Sequence, residues 1–154
     1  GAEVVSIDTD LQAVDKLATH LKDTGLNILP LHVDLAQPTP ATGWDNRETR
    51  SFLNRATGHF DLVMMLAVIH HLLLASQVPL DQIAELSAHL TKQHLIIEWV
   101  PPTDQKFQEL LRGRDAIYAH LTESTFRQAF ARYFSIVRET TLANGRILFF
   151  LSRK

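Results

Sequence analysis

The chain has no cysteine, which excludes disulfides, iron–sulfur clusters and thiolate zinc sites. It also lacks an excess of either charge. Fifteen Lys and Arg face 17 Asp and Glu, a net charge of -2 with the eight histidines neutral. That balance offers no electrostatic footing for a membrane or nucleic acid as partner. No hydrophobic run is long: the longest, Leu62 to Ile69, falls far short of the roughly 20 residues that cross a bilayer. No basic-then-apolar leader opens the chain, although a sequence that begins inside a strand is silent about one. A cytoplasmic protein is expected. No two histidines stand four residues apart, so the helical spacing that holds zinc is missing, and no metal is expected.

What is there suits a globular domain. The chain has 154 residues, 45% of them hydrophobic, and a domain near that size buries roughly 70% of its unfolded surface. "GAEVVSIDTD" reads as a buried strand, Glu3 to Ile7, ending in acid. A helix follows with Leu11, Val14, Leu17, Ala18 and Leu21 at helical spacing, Asp10 as N-cap and Gly25 beyond its end. Asn27 to Val33 is a second strand, and Pro30 argues for a sheet edge. A loop punctuated by proline and glycine leads to a weak helix around Glu48 to Ala56.

"DLVMMLAV" is the third strand. It is apolar throughout and so expected to be covered on both faces. A helix with Pro79 near its first turn carries Leu80, Ile83, Leu86 and Leu90 on one face. "HLIIEWV" is the fourth strand, stopped by Pro101 and Pro102. Helices follow from Asp104 to Arg112, ended by Gly113, and from Glu123 to Tyr133, capped by Thr122. Two last strands, "FSIVRETTL" and "RILFFLSR", join through Ala143-Asn144-Gly145 as a hairpin. Alternating strands and helices imply a mostly parallel sheet with helices on both faces. Ligands of such sheets lie beyond the carboxyl ends of the strands. Those ends carry Asp8, Asp34, the Ala67–His71 segment and Glu98-Trp99.

In this order, "GAEVVSIDTD", "LPLHVDL", "FDLVMMLAVIHHLL" and "LIIEWV", closed by a hairpin, resemble class I S-adenosylmethionine-dependent methyltransferases over nearly the whole chain. The resemblance implies an α/β fold: a Rossmann-like, doubly wound, mostly parallel sheet with a C-terminal antiparallel hairpin. It implies S-adenosylmethionine as cofactor. In that family an acid ending the second strand binds both ribose hydroxyls, a position matched by Asp8. An Asp ending the third strand accepts from the adenine amino group, matched by Asp34, with Leu35 beside the ring. The fourth strand begins Phe-Asp and ends near the transferred methyl, which brings Ala67 to the cofactor. "RGRD" with Tyr118, and the "NRE" segment, resemble nodulation-type methyltransferases.

The chemistry agrees with this assignment. A carboxylate accepts two ribose hydroxyls at once, which a neutral side chain does less well. Methyl transfer from a sulfonium needs mainly alignment, with the acceptor deprotonated where necessary.

One departure from the family is large. Its glycine-rich loop follows strand one, and this chain begins at what would be strand two. The expectation is therefore one methyltransferase-like domain over 1–154, N-terminally incomplete and inactive alone. A missing central strand would leave a gap of about 9.6 Å, two strand spacings, with unpaired inner edges. An upstream segment or another copy would supply the strand, or the sheet would close with its neighbours directly paired.

His70 and His71 are the catalytic candidates: a cleft histidine near neutral pKa can take a proton from a hydroxyl acceptor. The competing role is lining of the acceptor site or plain structure. Adjacent helical residues point about 100° apart, so one should face the cleft and the other pack. His70, nearer the strand end, is favoured. Glu98 would bind acceptor or bond to the prolyl turn. Trp99 is a candidate lid or packing residue, as is Trp44. Arg112 and Arg114 would bind an anionic acceptor or simply complement a helix end. Tyr118 completes the acceptor set. Arg127 and Arg132 read as a solvated helix face. Asp8 has a competing role in capping, and Asp34 as a turn residue.

The acceptor stays open among small molecules, sugars, proteins and RNA, the charge balance counting against nucleic acid. Two other readings stand beside this one: a nicotinamide-dinucleotide-binding dehydrogenase, whose ribose would use the same acid, and a non-catalytic methyltransferase-like scaffold.

Overall fold

The computed structural model describes residues 1–154, in two compact units, Gly1–Leu53 and Asn54–Lys154. In the first, β1 (Val4–Asp8), α1 (Leu11–Leu21) and β2 (Ile28–His32) form a βαβ unit. The strands pair in parallel from Val4 opposite Ile28 to Asp8 opposite His32. α1 starts where expected, because the Asp10 carboxylate accepts from the Gln12 and Ala13 N–H groups. Its half-buried face is Val14, Leu17, Ala18 and Leu21. β2 pairs with β1 alone, so Pro30 lies in an edge strand as its missing N–H requires.

Beyond β2 a bridge between Thr42 and Thr49 carries a tight turn, Trp44–Asn46, whose Trp44 is 86% exposed. This bridge corrects the helix expected from Glu48. The Glu48 and Thr49 N–H groups donate to the Thr42 carbonyl, which keeps them out of a helix, and α2 is only Phe52–Ala56.

The second unit holds β3 (Phe60–Met65), a π-helical turn (His71–Ala75), α3 (Leu80–Leu90), β4 (Thr91–Trp99), α4 (Gln105–Leu111), α5 (Asp115–Tyr118), α6 (Glu123–Ala131), β5 (Phe134–Thr141) and β6 (Ile147–Arg153). Its sheet has the order β3-β4-β6-β5. β3 and β4 are parallel, and β4, β6 and β5 are antiparallel neighbours. The hairpin turns at Gly145, whose positive φ of 80° suits glycine. α6 is capped by Thr122 in a reciprocal box with Thr125. The core gathers Leu95, Ile97 and Trp99 of β4, Ile83 and Ala84 of α3, Phe126 and Phe130 of α6, and Phe149 and Leu151 of β6. α5 escapes a periodicity reading because a single turn has no period.

One expectation needs correction. β3 is not covered on both faces: Leu62 and Met64 are 43% and 56% exposed, whereas Met65 is buried. α3 packs on one side of β3, and the alternate residues of a strand face the other way. In the first unit β1 pairs only with β2, and in the second β3 pairs only with β4. Each therefore has one free edge.

Candidate functional site

In the first unit two acids stand at the carboxyl ends of adjacent parallel strands. Asp8 ends β1, and Asp34 follows β2 by two residues. Both are exposed. Each uses one oxygen locally: Asp8 Oδ1 accepts the Asp10 N–H at 2.9 Å and Asp34 Oδ1 the Ala36 N–H at 2.8 Å. These are the competing capping and turn roles. They leave the second oxygen of each carboxylate with its acceptor capacity. Leu35 is half-buried beside Asp34. Exposed carboxylates at two strand ends can accept from hydroxyl or amino donors.

In the second unit the carboxyl end of β3 is strained. Ala67 adopts φ of 53°, a conformation unfavourable for a residue with a Cβ. Just beyond it the chain widens into the π turn, where the Ser76 N–H donates to the His71 carbonyl. Such turns gather at functional sites. His70 stands at the head of this turn and is 2% exposed, whereas His71 is exposed. Their rings lie 4.3 Å apart. His70 Nδ1 has no hydrogen-bond partner. Burial, followed by the neighbouring His71 and Arg146, pushes the His70 pKa from 6.5 down to about 4, with Asp104 acting the other way. The expectation of a histidine near neutral pKa is corrected accordingly. At pH 7 the imidazole is neutral, better suited to accept a hydrogen bond than to carry off a proton.

Glu98 ends β4 almost fully buried, and its charge is answered. Its Oε2 accepts the Ala67 N–H at 2.6 Å. Its Oε1 faces Arg146 Nη1 at 3.3 Å. Arg146 also donates through Nε to Asp104 Oδ2 at 2.8 Å. Asp104 Oδ1 caps α4 by accepting from Lys106 and Phe107. The bond from Arg146 is the largest cause holding the Asp104 pKa below its usual range. The partner of Glu98 is thus neither an open cleft nor the prolyl turn.

The remaining candidates separate. Trp99 is 2% exposed and packs on Phe126 at 5.2 Å between ring centroids, the packing role weighed for it. Arg114 is turned inward: it donates to the carbonyls of Leu74, Leu110 and Leu111 and stacks over the half-buried Tyr118 ring. These bonds tie the π turn to the end of α4. Arg112, left-handed at φ of 49°, is exposed. Arg127 bridges Glu123 and Glu139 over the face of Phe149, so it is more than a solvated charge. No three His, Asp or Glu side chains are grouped to hold a metal ion.

Arg146 and Asp104 escaped the sequence reading. A signal existed: a buried carboxylate ending a central strand demands a cation, and the hairpin pairs Glu98 with Leu148, close to Arg146.

No protein-family model matches the chain. It is 33% identical over 147 residues to nodulation protein NoeA of Rhizobium meliloti (strain 1021), covering 95% of this chain and 30% of that one. The chain thus spans under a third of the curated relative it matches. Among solved structures, PH0226 from Pyrococcus horikoshii OT3 superposes with a TM-score of 0.63 at 17% identity, covering 100% of this chain and 73% of that one. Magnesium protoporphyrin IX methyltransferase (ChlM) from Synechocystis PCC 6803, solved with bound SAH, gives 0.60 at 19%, covering 100% and 65%. At these identities the likeness is one of fold. The chain has the Rossmann-like α/β fold expected of it, shared with a methyltransferase, and the resemblance to a nodulation protein is found as well.

Proposed function

We propose that the chain is the later part of an S-adenosylmethionine-dependent methyltransferase and holds the ribose, adenine and acceptor sides of its site. The observation that carries this reading is the pair of outward carboxylates, Asp8 and Asp34, at the ends of parallel strands in a fold shared with a methyltransferase. When bound, the cofactor supplies an electrophilic methyl group on a sulfonium. Asp8 accepts from the ribose hydroxyls, Asp34 accepts from the adenine amino group, and Leu35 lies against the ring. The Ala67 segment lines the cofactor beside the reacting carbon. Exposed His71 lines the acceptor's approach, and neutral His70, buried behind it, shapes the segment from which His71 projects. Glu98 acts on the acceptor only through the segment it holds, and Arg112 and Tyr118 remain acceptor contacts.

The acceptor is a small molecule or a macromolecule, the balanced charge counting against nucleic acid, and the setting is cytoplasmic. No helix is long and apolar enough to cross a membrane. The same reading includes a further strand, from an upstream segment or another copy, that pairs with the free edge of β3 and covers Leu62 and Met64. The 30% coverage of the relative supports more polypeptide around this part, and the chain by itself is inactive.

Replacing Asp8 by Ala tests the reading. Loss of its bonds to the ribose should weaken cofactor binding by about 1.5–3 kcal/mol, measured by titration calorimetry with S-adenosylhomocysteine on a version extended upstream in its own gene. Unchanged affinity would remove Asp8 from the site.

A further inference from the structure

Within Asn54–Lys154, two carboxylates and one guanidinium form a continuous chain of bonds that reaches from a helix cap to a strained peptide. Asp104 divides its oxygens, Oδ1 on the first turn of α4 and Oδ2 on Arg146. Glu98 divides its own, Oε1 toward Arg146 and Oε2 on the Ala67 N–H. Arg146 joins the two through different nitrogens of its fork, a task that lysine, with one point of charge, cannot perform. All three side chains are at most 14% exposed. By contrast, the Lys106–Glu109 pair is 63% and 47% exposed and is worth little.

The end of this chain of bonds is what gives it meaning. Ala67 is held in a left-handed conformation that an alanine leaves unless something retains it. Its N–H is retained by Glu98, and three residues later comes His70 at the head of the π turn. We propose that Arg146 is a positioning residue of the candidate site: anchored by Asp104, it fixes Glu98 on the Ala67 N–H and so sets the segment that presents His70.

Arg146 has a second effect on the same segment. The charged and titratable groups acting on His70 are His71, Arg146 and Asp104, and Arg146 opposes protonation. Removing it leaves the opposing pull of the Asp104 carboxylate on His70 uncompensated. The inference rests on the methyltransferase reading only for the identity of the site. Its test needs no cofactor.

The experiment is amide hydrogen exchange at Ala67, with NMR titration of His70, on the full chain carrying Arg146→Gln, Arg146→Lys or Asp104→Asn. Arg146→Gln should speed Ala67 exchange about 30-fold while α3 amides change less than about threefold, and should raise the His70 pKa by about one unit. Arg146→Lys should keep His70 near its wild-type titration, because the charge remains, yet leave Ala67 fast, because the fork is gone. Asp104→Asn retains an Oδ1 that can cap α4, so it reports on the anchor if Arg146→Gln does not fold. Exchange at Ala67 that rises only in step with α3 and β4 would mean bulk destabilisation and overturn the proposal, as would an unmoved His70 in Arg146→Gln. If the His70 and Ala67 results hold while S-adenosylhomocysteine binds neither the chain nor a version extended upstream in its own gene, the methyltransferase reading falls and the positioning role stands.

Discussion

β1–β2 and β3–β4 are both parallel pairs with carboxylates at their carboxyl ends, yet the two are stabilised differently. Within Gly1–Leu53 the only buried residue is Phe52. Val4, Leu26 and Leu29 are exposed, and α1 buries nothing fully. Within Asn54–Lys154, β4 is paired on both edges and contributes Leu95, Ile97 and Trp99 to an aromatic-rich core. A two-stranded sheet is marginal without further strands or cover, and a parallel pair is ordinarily buried on both faces. The difference teaches where organisation resides. The acids of the first unit answer to local turns and solvent, whereas Glu98 and His70 are held by a packed interior.

Core truncation should break this contrast most severely. Ile97→Ala in the second unit should cost about 2–5 kcal/mol, against about 0.5 kcal/mol or less for Leu29→Ala, whose side chain is exposed in the first. Urea unfolding of the two variants checks it, and equal losses would deny the difference. Native-state hydrogen exchange would sharpen the same comparison: amides of β4 and β6 should exchange at least about 100-fold more slowly than those of β1 and β2.

A smaller effect follows from pH. His70 has a folded pKa near 4 against an ordinary 6.5, so the unfolded chain binds the extra proton between those values. Stability is complete above pH 6.5 and falls as pH drops toward 4, by about 2 kcal/mol once solvent screening is allowed for. Asp104, with its pKa held below 3.8, adds its own loss only below that value. Stability measured at pH 7 and pH 4.5 should differ less in His70→Gln than in the wild type. Smallest of all, Arg132→Ala removes an exposed pair with Asp81 and should shift stability by less than about 1 kcal/mol.

Much of the fold was legible because its signals are local. Asp10 and Thr122 cap the helices they precede, Pro30 marks an edge, and Asn144-Gly145 turns the hairpin. The Leu62–Ile69 run hid what covers it, since an apolar side chain reads the same on a bare face as on a packed one. The site was legible as a place, the strand ends, and less so as chemistry. His70 required burial to be known before its pKa could be judged, and Glu98 meets Arg146 across 48 residues of sequence. Trp99 and Arg114 each carried two readings by position, and only the fold shows Trp99 against Phe126 and Arg114 on the Leu74 carbonyl.

The most direct test is a thermal shift with S-adenosylhomocysteine on the chain, on a version extended upstream in its own gene, and on that version with Asp8→Ala. At 100 times the dissociation constant the ligand should add about 2.7 kcal/mol of stability to the extended protein, and much less to the Asp8 variant. Absence of any shift, or a shift with a nicotinamide dinucleotide in its place, would contradict the account.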